Sequence, residues 1–237
     1  MVTHPADHPG PFALVADLDA PELEPADAHH LSTVLRLRDG DPLVLGDGAG
    51  RWRAGRFGVP LHADGPIEST ARPLPAITVA FALVKGDRPE LVVQKLTELG
   101  VDRITPFRAG RSVVRWDDAR AERALDRLRI VARAATKQCH RPWLPVVTDI
   151  ADFARLLSGE GVAIADRTGA PPSLARPVVL VGPEGGWAAE ERSAAAVAGA
   201  PAVAIGVHVL RAETAAVTVG AMLTSLRAGL VAEASSP

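Results

Sequence analysis

Twice in the last quarter of the chain an apolar stretch runs straight into a glycine-bearing turn and then a helical pattern. Val178-Val-Leu-Val181 precedes Gly182-Pro-Glu-Gly-Gly186, and Ile205-Gly206-Val-His-Val-Leu-Arg-Ala-Glu-Thr-Ala215 follows. Glycine lets backbone approach a ligand closely. Two such turns in one short region predict strand-turn-helix units that share a pocket. The pattern G-x-x-G-G is neither the dinucleotide fingerprint G-x-G-x-x-G nor a phosphate loop ending in Gly-Lys-Ser/Thr. A Rossmann fold places a ribose-binding acid about twenty residues further on, and that position falls in residues 202–206, which carry none.

The rest of the chain divides by pattern. Residues 12–72 hold short apolar runs broken by turn signals at Asp39-Gly40, Asp47-Gly48, Gly50, Gly58 and Asp64-Gly65. That spacing predicts a small β-barrel with a short helix near residues 27–35. Pro73 and Pro75 mark a boundary, giving domains over 1–73 and 74–237. Beyond it strands and helices alternate: a strand at 77–84, then a helix opened by Asp87, Pro89 and Glu90 and closed by Gly100. A strand at 104–107 and a long helix over 117–139 follow. On that helix Ala121, Ala124, Leu125, Leu128, Val131, Ala132 and Ala135 share one side, and arginines take the other. Strands at 161–165, 178–181 and 202–205 and a helix over 213–228 complete an α/β domain with a mostly parallel sheet.

Net charge is −2, but it is unevenly spread. Residues 1–73 carry six basic and eleven acidic side chains, whereas residues 103–143 carry eleven basic and four acidic, a local balance of +7. The basic stretch points to a polyanionic partner; the acidic one does not. A single cysteine, Cys139, excludes an intramolecular disulfide framework. The N-terminus lacks a signal-peptide pattern. The longest uncharged run, 194–210, is broken by Gly199, Pro201 and Gly206 and does not read as a membrane span. A cytoplasmic protein without membrane attachment or metal is expected.

These motifs resemble a known family. Gly182–Gly186 with Leu210-Arg-Ala-Glu-Thr-Ala215 looks like the C-terminal signature of the bacterial 16S rRNA (uracil-N3)-methyltransferases, which belong to the SPOUT class. Lys85-Gly-Asp87, Gln94-Lys95, Glu98-Leu-Gly-Val101 and Arg111-Ser112 resemble that family's middle segment, and His30-Leu-Ser-Thr-Val-Leu-Arg-Leu-Arg38 with Asp39-Gly-Asp41 its N-terminal RNA-binding module. The resemblance implies a PUA-like barrel, a C-terminal domain with a trefoil knot, a homodimer with the site between subunits, S-adenosylmethionine as cofactor and 16S rRNA in the small ribosomal subunit as partner. It implies that Val181, Gly182, Pro183, Glu184, Gly185, Gly186, Ile205, Gly206, Val209, Leu210 and Thr214 hold the cofactor. RNA contact is expected at His30, Arg36, Arg38, Lys85 and Arg111, and, on the basic stretch, at Arg115, Arg120, Arg123 and Arg127.

Methylating uracil at N3 removes an imide proton and spreads negative charge onto O2 and O4, so a site needs a proton acceptor and a donor facing those oxygens. Arg211 is expected as the donor, since its planar fork suits a carbonyl; an ion pair with Glu213 or Glu184 is the structural alternative. Glu213 is expected either as that partner or as the proton acceptor. Lys95 and Glu98, at i and i+3, are expected to form a salt bridge. The chain departs from the family where it has His208 for a common Arg, Ala188 for a helix-capping Ser or Thr, and Lys137 for a typical Glu. Other readings are a ribose 2′-O-methyltransferase of the same class and a ribosome-binding assembly factor without catalysis.

Overall fold

The computed structural model describes residues 4–83, 88–112 and 118–233. Its backbone divides into two units, Met1–Arg72 with Arg133–Leu144, and Pro73–Ala132 with Pro145–Pro237.

In the first unit β1 (Phe12–Leu14) is followed by a short helix, α1 (Pro25–His29), that runs on into a π-helical turn at His30–Val34. Then come β2 (Pro42–Gly46), β3 (Arg51–Arg56) and β4 (His62–Ser69). They form a four-stranded sheet in the order β1-β2-β3-β4, with β1 parallel to β2 and the other pairs antiparallel. Both faces of β1 and β2 are covered. Ala13, Val15, Leu43 and Leu45 pack with Leu18 and Leu31, while Phe12, Leu14 and Val44 pack with Trp52. This explains why their sequences run apolar without alternation.

Residues 133–144 lie beyond the boundary expected at residue 73, yet they cluster with this unit. Gly50 N donates to Pro142 O (3.0 Å), Leu144 N to Gly48 O (2.9 Å) and Trp143 Nε1 to Thr70 O (3.0 Å). Gly50 is required there: a Cβ on it would come within 2.3 Å of the Trp143 indole.

The second unit contains β5 (Thr78–Ala82), α2 (Arg88–Glu98), β6 (Arg103–Arg108), the first turns of α3 (Asp118–Gln138), β7 (Val146–Val147), β8 (Ala151–Asp152), α4 (Phe153–Leu157), β9 (Val162–Ala170), β10 (Val178–Val181), α5 (Ala189–Val197), β11 (Ala202–Val203) and α6 (Ala212–Arg227). All seven strands pair in parallel, in the order β11-β9-β10-β5-β6-β7, with β8 on β6. On one face Val79, Phe81 and Val179 pack against Val92 and Leu96 of α2 and Ala216 and Val219 of α6; on the other Ala80, Ala82 and Leu180 meet Trp187 and Ala195. α2, α3 and α6 fall within one or two residues of the helices that capping and periodicity predict, whereas α4 and the short strands β7 and β8 have no counterpart among the predicted elements. The expected opening residue of α2, Asp87, lies outside the described residues. Gly100, with φ 93°, closes α2, where Val101 N reaches Leu96 O and Gly100 N reaches Thr97 O. On α3 Ala121, Leu125, Leu128, Ala132 and Ala135 are buried as expected.

Two departures bear on function. β9 extends to Ala170, and its pairing with β11 jumps from Ala202↔Ile164 to Val203↔Ala170, so residues 165–169 bulge out of the ladder. β11 is correspondingly only two residues long. Among the described residues no helix is long and apolar enough to cross a membrane.

One buried ion pair clasps the second unit. Asp102 is 2% exposed, accepts from Ile77 N (2.9 Å) and pairs with Arg227 at the end of α6. Arg227 also donates to Pro75 O (3.1 Å) and Gly100 O (2.8 Å). Removing one partner leaves the other charge buried, which costs about 3–5 kcal/mol. Arg227→Met is therefore expected to lower unfolding free energy by about that amount, read from urea denaturation curves; a loss under about 1 kcal/mol would refute the clasp.

Candidate active site

Open parallel sheets bind ligands outside the carboxyl ends of their strands. Here a cavity of about 220 Å³ lies there, formed by the turn after β10, the segment after β11 and the bulge of β9. Of the residues expected to hold a cofactor, Val181, Gly182, Pro183, Glu184, Gly186, Ile205, Gly206, Val209 and Leu210 line it. Gly185 and Thr214 are outside the lining set. Ala165, Asp166, Arg167, Trp187, Arg192 and His208 complete the walls with Ala212 and Ala215 of α6.

The glycine turn is held from several sides. Gly186 adopts φ 69°, a conformation that favours glycine, and donates to Pro183 O (2.8 Å). Gly182 lies against Trp187, whose ring would be 3.0 Å from an added Cβ. The indole Nε1 donates to Ala165 O (2.9 Å), tying the turn to the β9 bulge. Arg111 Nη1 donates to Gly185 O (3.0 Å), so this expected RNA contact is also a neighbour of the turn. Ala188 opens α5 without a side-chain acceptor of its own, but Glu191 reaches back to its N–H (2.8 Å) and with its other oxygen accepts from Gly110 N (2.7 Å). The weak start expected from Ala188 is thus offset by Glu191.

The charged groups are arranged around Arg88, which the sequence did not single out. Arg88 Nη1 lies 2.9 Å from Glu184, and its Nε 3.6 Å from Glu213. Both carboxylates weighed as ion-pair partners of Arg211 are therefore engaged by Arg88. Glu213 is nearly buried, with a side chain 12% exposed, and its Oε2 has no hydrogen-bond partner. Arg211 is the N-cap of α6 and exposed, beside the cavity-lining Leu210 and Ala212.

Asp166 was also missed. It sits in the bulge rather than in a glycine motif; the signal was Gly169, a glycine within a strand, where a Cβ would come within 2.3 Å of the Ala202 backbone. Asp166 Oδ1 accepts from Thr168 N (3.1 Å) and Oγ1 (2.9 Å), and Oδ2 pairs with Arg192. Among the described residues no His, Cys, Asp and Glu cluster could hold a metal.

Lys85 and Arg115 lie outside the described residues. Arg36, Arg38, His30, Arg120 and Arg123 are exposed. Arg127 pairs with Glu90 (3.0 Å), Arg129 with Asp126 and Asp149, Arg133 with Glu24, and Lys137 with Asp27. These four of the eleven bases of residues 103–143 are thus paired with acids, which reduces the charge this stretch offers to a polyanion. Lys95 and Glu98 form the expected bridge at 2.8 Å.

A family profile described as an RNA methyltransferase domain matches residues 71–224, and one described as an RNA methyltransferase PUA domain matches residues 23–58. The ribosomal RNA small subunit methyltransferase E of Mycobacterium bovis is 37% identical over 216 residues, covering 81% of this chain and 82% of that protein. The chain belongs to this RNA methyltransferase family. The enzyme of the same name from Synechocystis is 34% identical, covering 86% of this chain and 72% of that one. A crystal structure of ribosomal RNA small subunit methyltransferase E from Neisseria gonorrhoeae, bound to S-adenosyl methionine, aligns with a TM-score of 0.76 at 27% identity, covering 91% of this chain and 97% of that one. Family membership makes the cavity at the glycine turns of this RNA methyltransferase its candidate active site.

Within that site Asp166 gives a pH signature. Burial alone would raise its pKa, but the two hydrogen bonds from Thr168 and the Arg192 pair outweigh it and hold the carboxyl below its ordinary 3.8. A depressed folded pKa adds stability above the unfolded value and loses it as pH falls through the folded one. Wild type is expected to lose stability more steeply than Asp166→Asn between about pH 5 and pH 2, measured by urea midpoints across that range. Parallel profiles would contradict the assignment.

Proposed function

We propose that this protein transfers a methyl group from S-adenosylmethionine to N3 of a specific uridine in the 16S rRNA of the small ribosomal subunit. The observation that carries the reading is the meeting of both glycine-bearing turns at one cavity beside the nearly buried carboxylate of Glu213. The names of the relatives and the cofactor bound in the gonococcal enzyme support it.

The cavity suits S-adenosylmethionine chemically. Turns that expose backbone N–H and C=O groups match an adenine edge and ribose, and Val181, Ile205 and Leu210 offer apolar contact. Gly182–Gly186 and residues 205–210 hold it in this reading, with Thr214 alongside. When bound, it supplies an electrophilic methyl group on a sulfonium. The chain's own residues prepare the base. Glu213 Oε2, lacking a protein partner, accepts the N3 proton; Arg211 donates to the uracil oxygen on which charge accumulates. Arg88 anchors Glu213 and Glu184 from one side.

In this reading residues 1–73, joined by residues 133–144, form a PUA-like barrel that binds RNA, the rest of residues 74–237 a trefoil-knotted methyltransferase domain, and the protein a cytoplasmic homodimer whose site is completed by the second copy. Val207 and Val209, each 85% exposed beside the cavity, favour a covering partner. RNA is held through His30, Arg36, Arg38, Lys85, Arg111, Arg115, Arg120, Arg123 and Arg127.

Labelled methyl transfer to small ribosomal subunits lacking this modification, with nucleoside mass analysis, tests the proposal. Wild type is expected to yield 3-methyluridine. Arg211→Ala should lower kcat by about 10²–10³-fold and Glu213→Gln by about 10²–10⁴-fold. A 2′-O-methylated product, or no transfer to subunits that bind, would overturn it.

A further inference from the structure

The first unit contains a second, larger cavity of about 510 Å³, walled by Phe12, Asp27, His30, Leu31, Lys137 and His140. Its volume is in the range of sites that bury a small ligand, and apolar walls with a few polar groups are how such sites are built. Phe12 and Leu31 are buried, and the rings of Phe12 and His140 lie 6.0 Å apart. Asp27 Oδ1 pairs with Lys137. Asp27 Oδ2 and His140 Nδ1 are buried without a hydrogen-bond partner. Nearly all buried polar atoms in folded proteins are satisfied, so two orphans on residues of one cavity point to a ligand that brings its own donors and acceptors.

The backbone adds an independent sign. Past the end of α3, Arg141 N donates to Thr136 O (3.1 Å) and His140 N to Lys137 O (3.4 Å), with His140 at φ 54°. Glycine takes that conformation without strain. An imidazole kept there costs stability, and strained residues concentrate where a side chain has a task.

We propose that this cavity takes one unpaired guanine base of the RNA substrate, an inference that rests on the proposed rRNA activity. Unpaired bases are read by stacking on aromatic side chains and by hydrogen bonds to the Watson–Crick edge. Guanine presents ring and amino N–H donors beside its O6 carbonyl. Asp27 Oδ2 accepts from those donors, Lys137 donates to O6, and Phe12 and His140 supply ring surface and the second orphaned nitrogen. Adenine has no carbonyl on that edge to receive the Lys137 proton.

The full-length protein is titrated with a short single-stranded RNA holding one guanosine among adenosines, and with the all-adenosine strand, by fluorescence anisotropy. The imidazole signals of His30 and His140 are followed by NMR. The guanosine strand is expected to bind at least about tenfold more tightly and to move both signals. The preference should vanish in His140→Gly, whose thermal stability should equal or exceed wild type because glycine relieves the strained φ, and fall in Asp27→Asn. Equal binding of the two strands, a preference that survives both variants, or unmoved histidine signals overturns the proposal. So does binding of guanosine 5′-monophosphate without the guanosine strand, since the ligand would then be a free nucleotide. Methyl transfer by wild type, run in parallel, separates the failures: transfer without guanine preference removes only the cavity's role, and guanine preference without transfer removes only the proposed activity.

Discussion

The site depends on where α6 is held, and α6 is held at its far end. Arg227 is fixed by Asp102 and by the carbonyls of Pro75 and Gly100, which lie on the connections flanking β5 and preceding β6 in the second unit. A helix is a stiff rod rising about 1.5 Å per residue, so anchoring its last turn and packing its body sets its first turn as well. Gly220 makes that packing close: a Cβ on it would come within 2.5 Å of Leu96 on α2. The first turn carries Ala212, Glu213 and Ala215, which wall or flank the cavity. A charge pair at one end of the helix thus positions cavity-lining residues at the other.

Around the cavity the electrostatics are graded by burial. The pair between Arg88 and Glu184 is exposed enough that its own contribution to stability is small. Glu213, on the same guanidinium, is far more enclosed, and its second oxygen meets no protein donor. The two carboxylates share a cation but differ in enclosure: Glu184 is open to solvent, whereas Glu213 is mostly enclosed with one oxygen unpaired. Glu191 acts differently again, accepting from two backbone N–H groups, those of Gly110 and Ala188, and so ties the loop after β6 to the start of α5.

What was legible in the sequence was whatever local pattern controls. The two glycine-bearing turns, the buried face of α3, the stop at Gly100 and the bridge from Lys95 to Glu98 are set by residues within a few positions of one another. What was not legible involves partners far apart. The apolar period of α3 runs on without a break through residue 132, so nothing local shows that the chain from Arg133 joins the first unit. Arg88 is one cation among many until Glu184 and Glu213, both far along the chain, fold against it. The β9 bulge that brings Asp166 to the cavity arises from pairing with β11 and not from any turn residue except Gly169.

The charge asymmetry takes a different meaning once the partners are known. Glu24 and Asp27, members of the acidic N-terminal segment, pair with Arg133 and Lys137 of the basic one inside the first unit. Some of the excess acid therefore neutralises some of the excess base within the chain itself, and Lys137 has its own acid in Asp27. Cations already held by carboxylates release fewer counterions on meeting phosphate, so they add less salt-dependent affinity. An RNA-binding surface built this way draws less on attraction to backbone charge. In the proposed reading, RNA contact by the first unit rests correspondingly more on shape and on its exposed arginines, Arg36 and Arg38.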